Sequence, residues 1–64
     1  MREDQIVAAL GAGIDRIAEI VPRLYADVPA FLHGMAGLTV RAHLDKLIGE
    51  GRVTERGDCF SLRG

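Results

Sequence analysis

TVRAHLDKLIGEGRVTERGDCFSL, residues 39–62, changes its hydrophobic period halfway along. Val40, Leu44, Leu47 and Ile48 recur at helical spacing, whereas Val53, Phe60 and Leu62 fall in short alternating runs on either side of a Gly-Asp pair. Gly51 stands between the two regimes and suits the left-handed residue that ends a helix. Residues 53–62 beyond it read as a hairpin whose register can be argued. A two-residue loop of Gly57 and Asp58 pairs Val53 with Leu62 and sets both on the core side. A three-residue loop from Arg56 to Asp58 would pair Val53 with Ser61 and split the apolar set. A slip of one residue reverses every face, so the two-residue loop is predicted. Gly57 in its first position suits a type II′ turn. Arg56-Gly57-Asp58 also spells an adhesion tripeptide, but turn geometry alone accounts for those residues.

Working outward, the longest helix is predicted from about Met35 to Glu50, with Met35 and Ala36 facing inward at its entry. Thr39, Arg41, Asp45 and Lys46 would face outward, and Gly37 weakens the first turns, since glycine costs roughly 1 kcal/mol there against alanine. Upstream, Ile6, Val7 and Leu10 share one face of a first helix, with Glu3 and Asp4 at its dipole-favoured start. Gly11-Ala12-Gly13 ends it, and Ile14 fits one short buried strand or bridge. Asp15 is an N-cap candidate for a second helix carrying Ile17, Ile20 and Val21, which Pro22 bends or restarts. Leu24 and Tyr25 continue its apolar face. Asp27, before Pro29, would cap a short turn bearing Phe31 and Leu32. The order is helix, short strand, helix, helix, strand, strand. That is an α+β winged helix-turn-helix, three helices with a small antiparallel hairpin wing, filling residues 1–64 as one domain.

Composition limits the function. A chain of 64 residues buries only about 60% of its unfolded surface, so stability is marginal. A single cysteine, Cys59, rules out an internal disulfide and points to a reducing, cytoplasmic setting. With only His33 and His43 beside it, a four-ligand zinc site cannot be assembled here. No apolar run approaches the ~18 residues of a membrane span. Net charge is −1, and nearly every basic residue has an acidic neighbour. Duplex readers present a basic stripe instead. Thr39, Arg41, Lys46 and Arg52 are the residues that could touch nucleic acid, but Asp45, Glu50, Glu55 and Asp58 would repel phosphate, and Arg41–Asp45 reads as an i,i+4 pair. His43 is expected to bond a backbone carbonyl or to reach a neighbouring domain. Cys59 reads as a half-exposed thiol with no base nearby.

Three segments, RLYADVP (23–29), LHGMAG (32–37) and AHLDKLIGEGRV (42–53), together resemble the winged-helix domain at the C-terminus of metallo-β-lactamase-fold hydrolases of the β-lactamase-like protein 2 type. Leu24, Tyr25, Asp27, Pro29, His33, Ala36, His43, Leu44, Leu47, Gly51 and Val53 carry the match, while Gly34 stands where proline is common. The resemblance implies a segment cut from the end of a longer chain, whose preceding domain holds two metal ions, usually zinc, around an HxHxDH motif and hydrolyses thioesters or phosphodiesters, in some members on single-stranded RNA. No catalytic, cofactor or metal residue falls in this segment. It would serve as a non-catalytic accessory domain that packs on the metallo-β-lactamase-fold domain of the same chain and borders its substrate path. Contacts are expected from Tyr25, Asp27, Phe31, Leu32 and His43, with an apolar patch at Phe31, Leu32 or Leu38. The alternative is a free-standing DNA-binding transcriptional regulator, against which charge and the lack of a dimerisation helix both argue.

Overall fold

The structure, a computed structural model, describes residues 2–63. Its elements run in the order α1 (Arg2–Gly11), α2 (Ile17–Leu24), a single 3-10 turn (Ala30–Leu32), α3 (His33–Gly49), β1 (Val53–Arg56) and β2 (Cys59–Leu62). Three helices and one antiparallel hairpin make the α+β winged helix that the hydrophobic periods predict. Val53 lies opposite Leu62 and Glu55 opposite Phe60, so Gly57 and Asp58 form the loop. Gly57 has φ of 63°, and no described non-glycine residue has a positive φ. A left-handed first position followed by a negative φ is the type II′ combination.

The end of α3 shows why Gly51 matters. The amide of Arg52 donates to the Leu47 carbonyl at 2.9 Å and that of Gly51 to the Ile48 carbonyl at 3.0 Å. These are the paired bonds of a Schellman cap, and they require the φ of 75° that Gly51 adopts. The cap turns the chain sharply enough for β1 to begin two residues later.

One core joins all the elements. Ile6, Ala9 and Leu10 from α1 meet Ile20 and Val21 from α2, Ala36, Val40, Leu44 and Leu47 from α3, and Val53 and Phe60 from the wing. The stripe 36, 40, 44, 47 fixes how α3 is rotated about its axis.

Several local expectations are corrected. Helix α3 starts at His33, two residues before Met35. Met35 does not face inward but is 70% exposed, because the stripe through Ala36 and Val40 turns it away. The N-cap of α2 is Arg16, not Asp15, and no side chain caps it. Asp15 instead accepts the Phe60 amide on its carbonyl at 2.7 Å, a single bond from the interhelical segment to the wing. No strand forms at Ile14, which is half-buried. Asp27 is exposed and caps nothing; Pro29, with φ of −53°, precedes the 3-10 turn and presets its backbone. Pro22 neither breaks nor restarts α2, which runs through it and loses only the one hydrogen bond a proline cannot make. Leu62, placed on the core side by its register, remains 39% exposed beside Gly11 at the end of α1.

Candidate functional site

The corner between α2 and α3 is held by His33. Its Nε2 lies 3.2 Å from the Tyr25 carbonyl and 3.1 Å from the Val28 carbonyl. Two acceptors facing one ring nitrogen require that nitrogen to carry the proton, so His33 is an Nε2–H donor shared between them. Tyr25 is half-buried, and the Arg2 guanidinium lies over its ring, 4.3 Å from the centroid. The same guanidinium donates to the Leu24 carbonyl at 3.1 Å, so α1 is clasped to the end of α2.

Beyond this corner the surface becomes apolar. Phe31 is 84% exposed, Leu38 73% and Leu32 37%, and Met35 joins them. Residues 31, 35 and 38 stand at helical spacing on the outer side of α3 and the turn leading into it. The structure therefore brings Phe31 and Leu32 together with Met35 and Leu38, with Asp27 exposed in the preceding turn. His43 is not part of this face. It lies on the α1 side of α3, its Nδ1 3.9 Å from Glu3 Oε1, and it does not bond a backbone carbonyl. Met35 was missed because it sits one residue before the core stripe, although the 31, 35, 38 spacing was readable in the sequence.

Glu3 is the other residue sequence reasoning missed. It is the one buried charged side chain among the described residues. Lys46 Nζ lies 3.1 Å away and Arg52 Nη1 3.8 Å away, with His43 alongside. A buried carboxylate must be compensated, and here residues from α3 and the segment before β1 do so. The cost to the surface is that Lys46 and Arg52 are engaged with α1.

Arg41 is engaged as well. Its guanidinium makes a bidentate pair with Glu55 at 2.7 and 3.0 Å, reaches Asp45 at 3.0 Å, and lies 5.4 Å from the Phe60 ring centroid. Glu55 is opposite Phe60 and so shares the wing's inner face, which explains why it turns toward α3 rather than toward solvent. The hydrogen bond from Arg41 holds the Glu55 carboxyl below its ordinary range, and the same bond raises Arg41. Thr39 spends its hydroxyl on the Met35 carbonyl at 3.4 Å. Thus all four residues picked as nucleic-acid contacts have partners within the domain. Cys59 is not isolated: its thiol lies 3.6 Å from Asp58 Oδ1, and a hydrogen bond with Cys59, followed by the charge of Asp58, raises Arg16 above its usual value.

Among the described residues, no three of His, Cys, Asp or Glu converge on a point that could hold a metal ion. The Nε2 of His33 carries its proton toward two carbonyls and offers no lone pair to a metal. None of the described helices is long and apolar enough to cross a membrane.

These features define a winged-helix domain whose third-helix cations are paired with carboxylates of the same domain. Residues 17–61 match the family described as the beta-lactamase associated winged helix domain, and the chain belongs to that family. The comparisons with curated proteins and with solved structures gave no match.

Proposed function

We propose that this domain is the non-catalytic accessory part of a metallo-β-lactamase-superfamily hydrolase. It packs on the metal-binding domain of the same chain through Phe31, Leu32, Met35 and Leu38, and it borders that domain's substrate path with the Tyr25–Asp27 corner. Two metal ions, zinc by the resemblance, and any single-stranded RNA substrate belong to that other domain. One observation carries the reading: in a family associated with beta-lactamase proteins, three large apolar side chains stand on one exposed face beside the start of α3. Exposed apolar clusters of this kind mark surfaces that are covered in the working protein.

The first test is to read the coding DNA upstream of Arg2 for an in-frame HxHxDH domain. The second is Phe31→Asp with Leu38→Asp, made both in this 64-residue chain and in the chain joined to that domain. The reading expects the shorter chain to keep its melting temperature and the joined chain to lose its interdomain protection from proteolysis. An upstream stop codon, or equal behaviour in both contexts, would remove its basis.

A further inference from the structure

A hollow lies between α2 and α3, apart from the apolar face formed by Phe31, Met35 and Leu38. Its volume is about 420 Å³, and its walls are Ile17, Ala18, Val21 and Pro22 of α2 with Gly34 and Gly37 of α3. The two glycines shape its floor. A Cβ on Gly37 would touch Ile17 Cγ2 at 3.7 Å and Val21 Cγ2 at 3.9 Å, so the helices nearly meet there. A Cβ on Gly34 would meet nothing within 4 Å, so the hollow opens toward the start of α3. Among the described residues, no aspartate, glutamate, lysine or arginine lines it. Two polar features do, and both accept hydrogen bonds. Pro22 has no amide proton to return to the Ala18 carbonyl one turn earlier, so that carbonyl lacks its helical partner. His33 also lines the hollow, and its Nε2–H is spent on the Tyr25 and Val28 carbonyls, so the nitrogen its neutral ring has left is an acceptor.

We propose that this hollow binds a small neutral aromatic molecule carrying a ring N–H or hydroxyl donor, of the indole or phenol class. Uncharged walls disfavour an ionic ligand, because a covered charge with no counter-charge is costly. Acceptors without a donor of their own select a molecule that brings one, since a ligand lacking it leaves a carbonyl covered and unpaired. A rigid ring covers the apolar walls for the least loss of conformational freedom. The volume falls in the lower part of the roughly 300–1,000 Å³ range of small-molecule sites. A second copy of the chain does not meet these needs, since the aromatic side chain exposed among the described residues, Phe31, has no donor. The site is independent of the accessory-domain reading and stands or falls without it.

Two-dimensional NMR of the isotope-labelled 64-residue chain, titrated with indole and with N-methylindole at neutral pH, tests this. Indole should shift the amides of Ile17, Val21, Gly34 and Gly37 saturably, with a dissociation constant of about 1 mM, as befits so small a ligand. N-methylindole keeps the ring but has no donor, and should bind about tenfold more weakly. Gly34→Leu places a side chain in open space and improves the helix, so it should abolish the shifts without unfolding the domain. Gly49→Leu, equally unobstructed at the other end of α3, should leave them intact. Pro22→Ala returns an amide to the Ala18 carbonyl and should narrow the tenfold preference. Equal binding of the two probes by the parent chain would overturn the proposal, because the acceptors would then select nothing. Shifts that never saturate, or that gather at Phe31, Met35 and Leu38 instead, would overturn it too. Movement of the same amides in the ligand-free chain as its concentration rises would mean that a second copy occupies the hollow, against the proposal.

Discussion

The same substitution at two glycines should shift stability in opposite directions. Gly37 lies in the second turn of α3 with ordinary helical φ, and a Cβ there would lie 3.7 Å from Ile17 Cγ2 and 3.9 Å from Val21 Cγ2. Those are normal van der Waals distances, so Gly37→Ala adds contact between α2 and α3 without displacing anything. It also removes the entropic penalty of a helical glycine, a gain of roughly 1 kcal/mol. Gly51 has φ of 75°, and a Cβ there would meet nothing within 4 Å. Space is therefore not the obstacle at 51. The left-handed backbone is, and alanine there costs about 1–2 kcal/mol. In a domain of this size 1 kcal/mol moves the midpoint by about 4–8 °C. Thermal unfolding followed by circular dichroism should thus show Gly37→Ala melting higher and Gly51→Ala lower than the parent by several degrees. A lower midpoint for Gly37→Ala would mean that α2 and α3 pack more tightly at Ile17 and Val21 than described. An unchanged midpoint for Gly51→Ala would show that the Schellman cap is not what turns the chain into the wing.

Other outcomes rest on the core and the ion pairs. Leu44→Ala removes a fully buried side chain at a cost of about 2–5 kcal/mol, about half of the roughly 3–10 kcal/mol for a whole domain of this length, so urea titration should find the midpoint lowered by about half. Glu3→Gln removes the negative charge that Lys46 and Arg52 face while keeping an acceptor oxygen, and should destabilise by at most about 1 kcal/mol in the same assay. Glu55, held below its ordinary 4.5 by Arg41, contributes stability that is present above that value and lost as pH falls through its lower folded value. Arg41→Met should abolish that part of the acid loss, read as the difference between the two pH–stability curves. In fluorescence titrations at physiological salt, duplex DNA should show no saturable binding, and saturable binding with a steep salt dependence would mean that the pairing of Arg41, Lys46 and Arg52 within the domain does not withhold them from phosphate.

Local chemistry decided which features could be read from the sequence. The hairpin register came from a two-residue Gly-Asp loop and one apolar pair, Val53 with Leu62, all within ten residues, and the end of α3 from one glycine whose φ no other residue adopts easily. The caps at Asp15 and Asp27 misled because an N-cap preference is worth only about 1 kcal/mol. At Asp15 the segment is held by the Phe60 amide, and at Asp27 by Pro29 and His33. The partners of Glu3 could not be read at all, since they lie forty or more residues away in the other half of the chain and only the packing of α1 on α3 brings them together.

The ion pairs also bear on which charges this winged helix leaves without a partner in the domain. The charges were visible in the sequence, but which face each one took was not. Glu55 alternates onto the inner side of the wing and draws Arg41 across Phe60, while Glu3 draws Lys46 and Arg52 toward α1. Two carboxylates thereby occupy the three cations that a recognition helix and its flank would have offered to phosphate. The surface left on the outer side of α3 is Phe31, Met35 and Leu38. Freeing Arg41 would remove a clasp between α3 and the wing, and freeing Lys46 would leave a carboxylate buried with less compensation. In this domain the pairs that link α1, α3 and the wing are the ones that engage these cations.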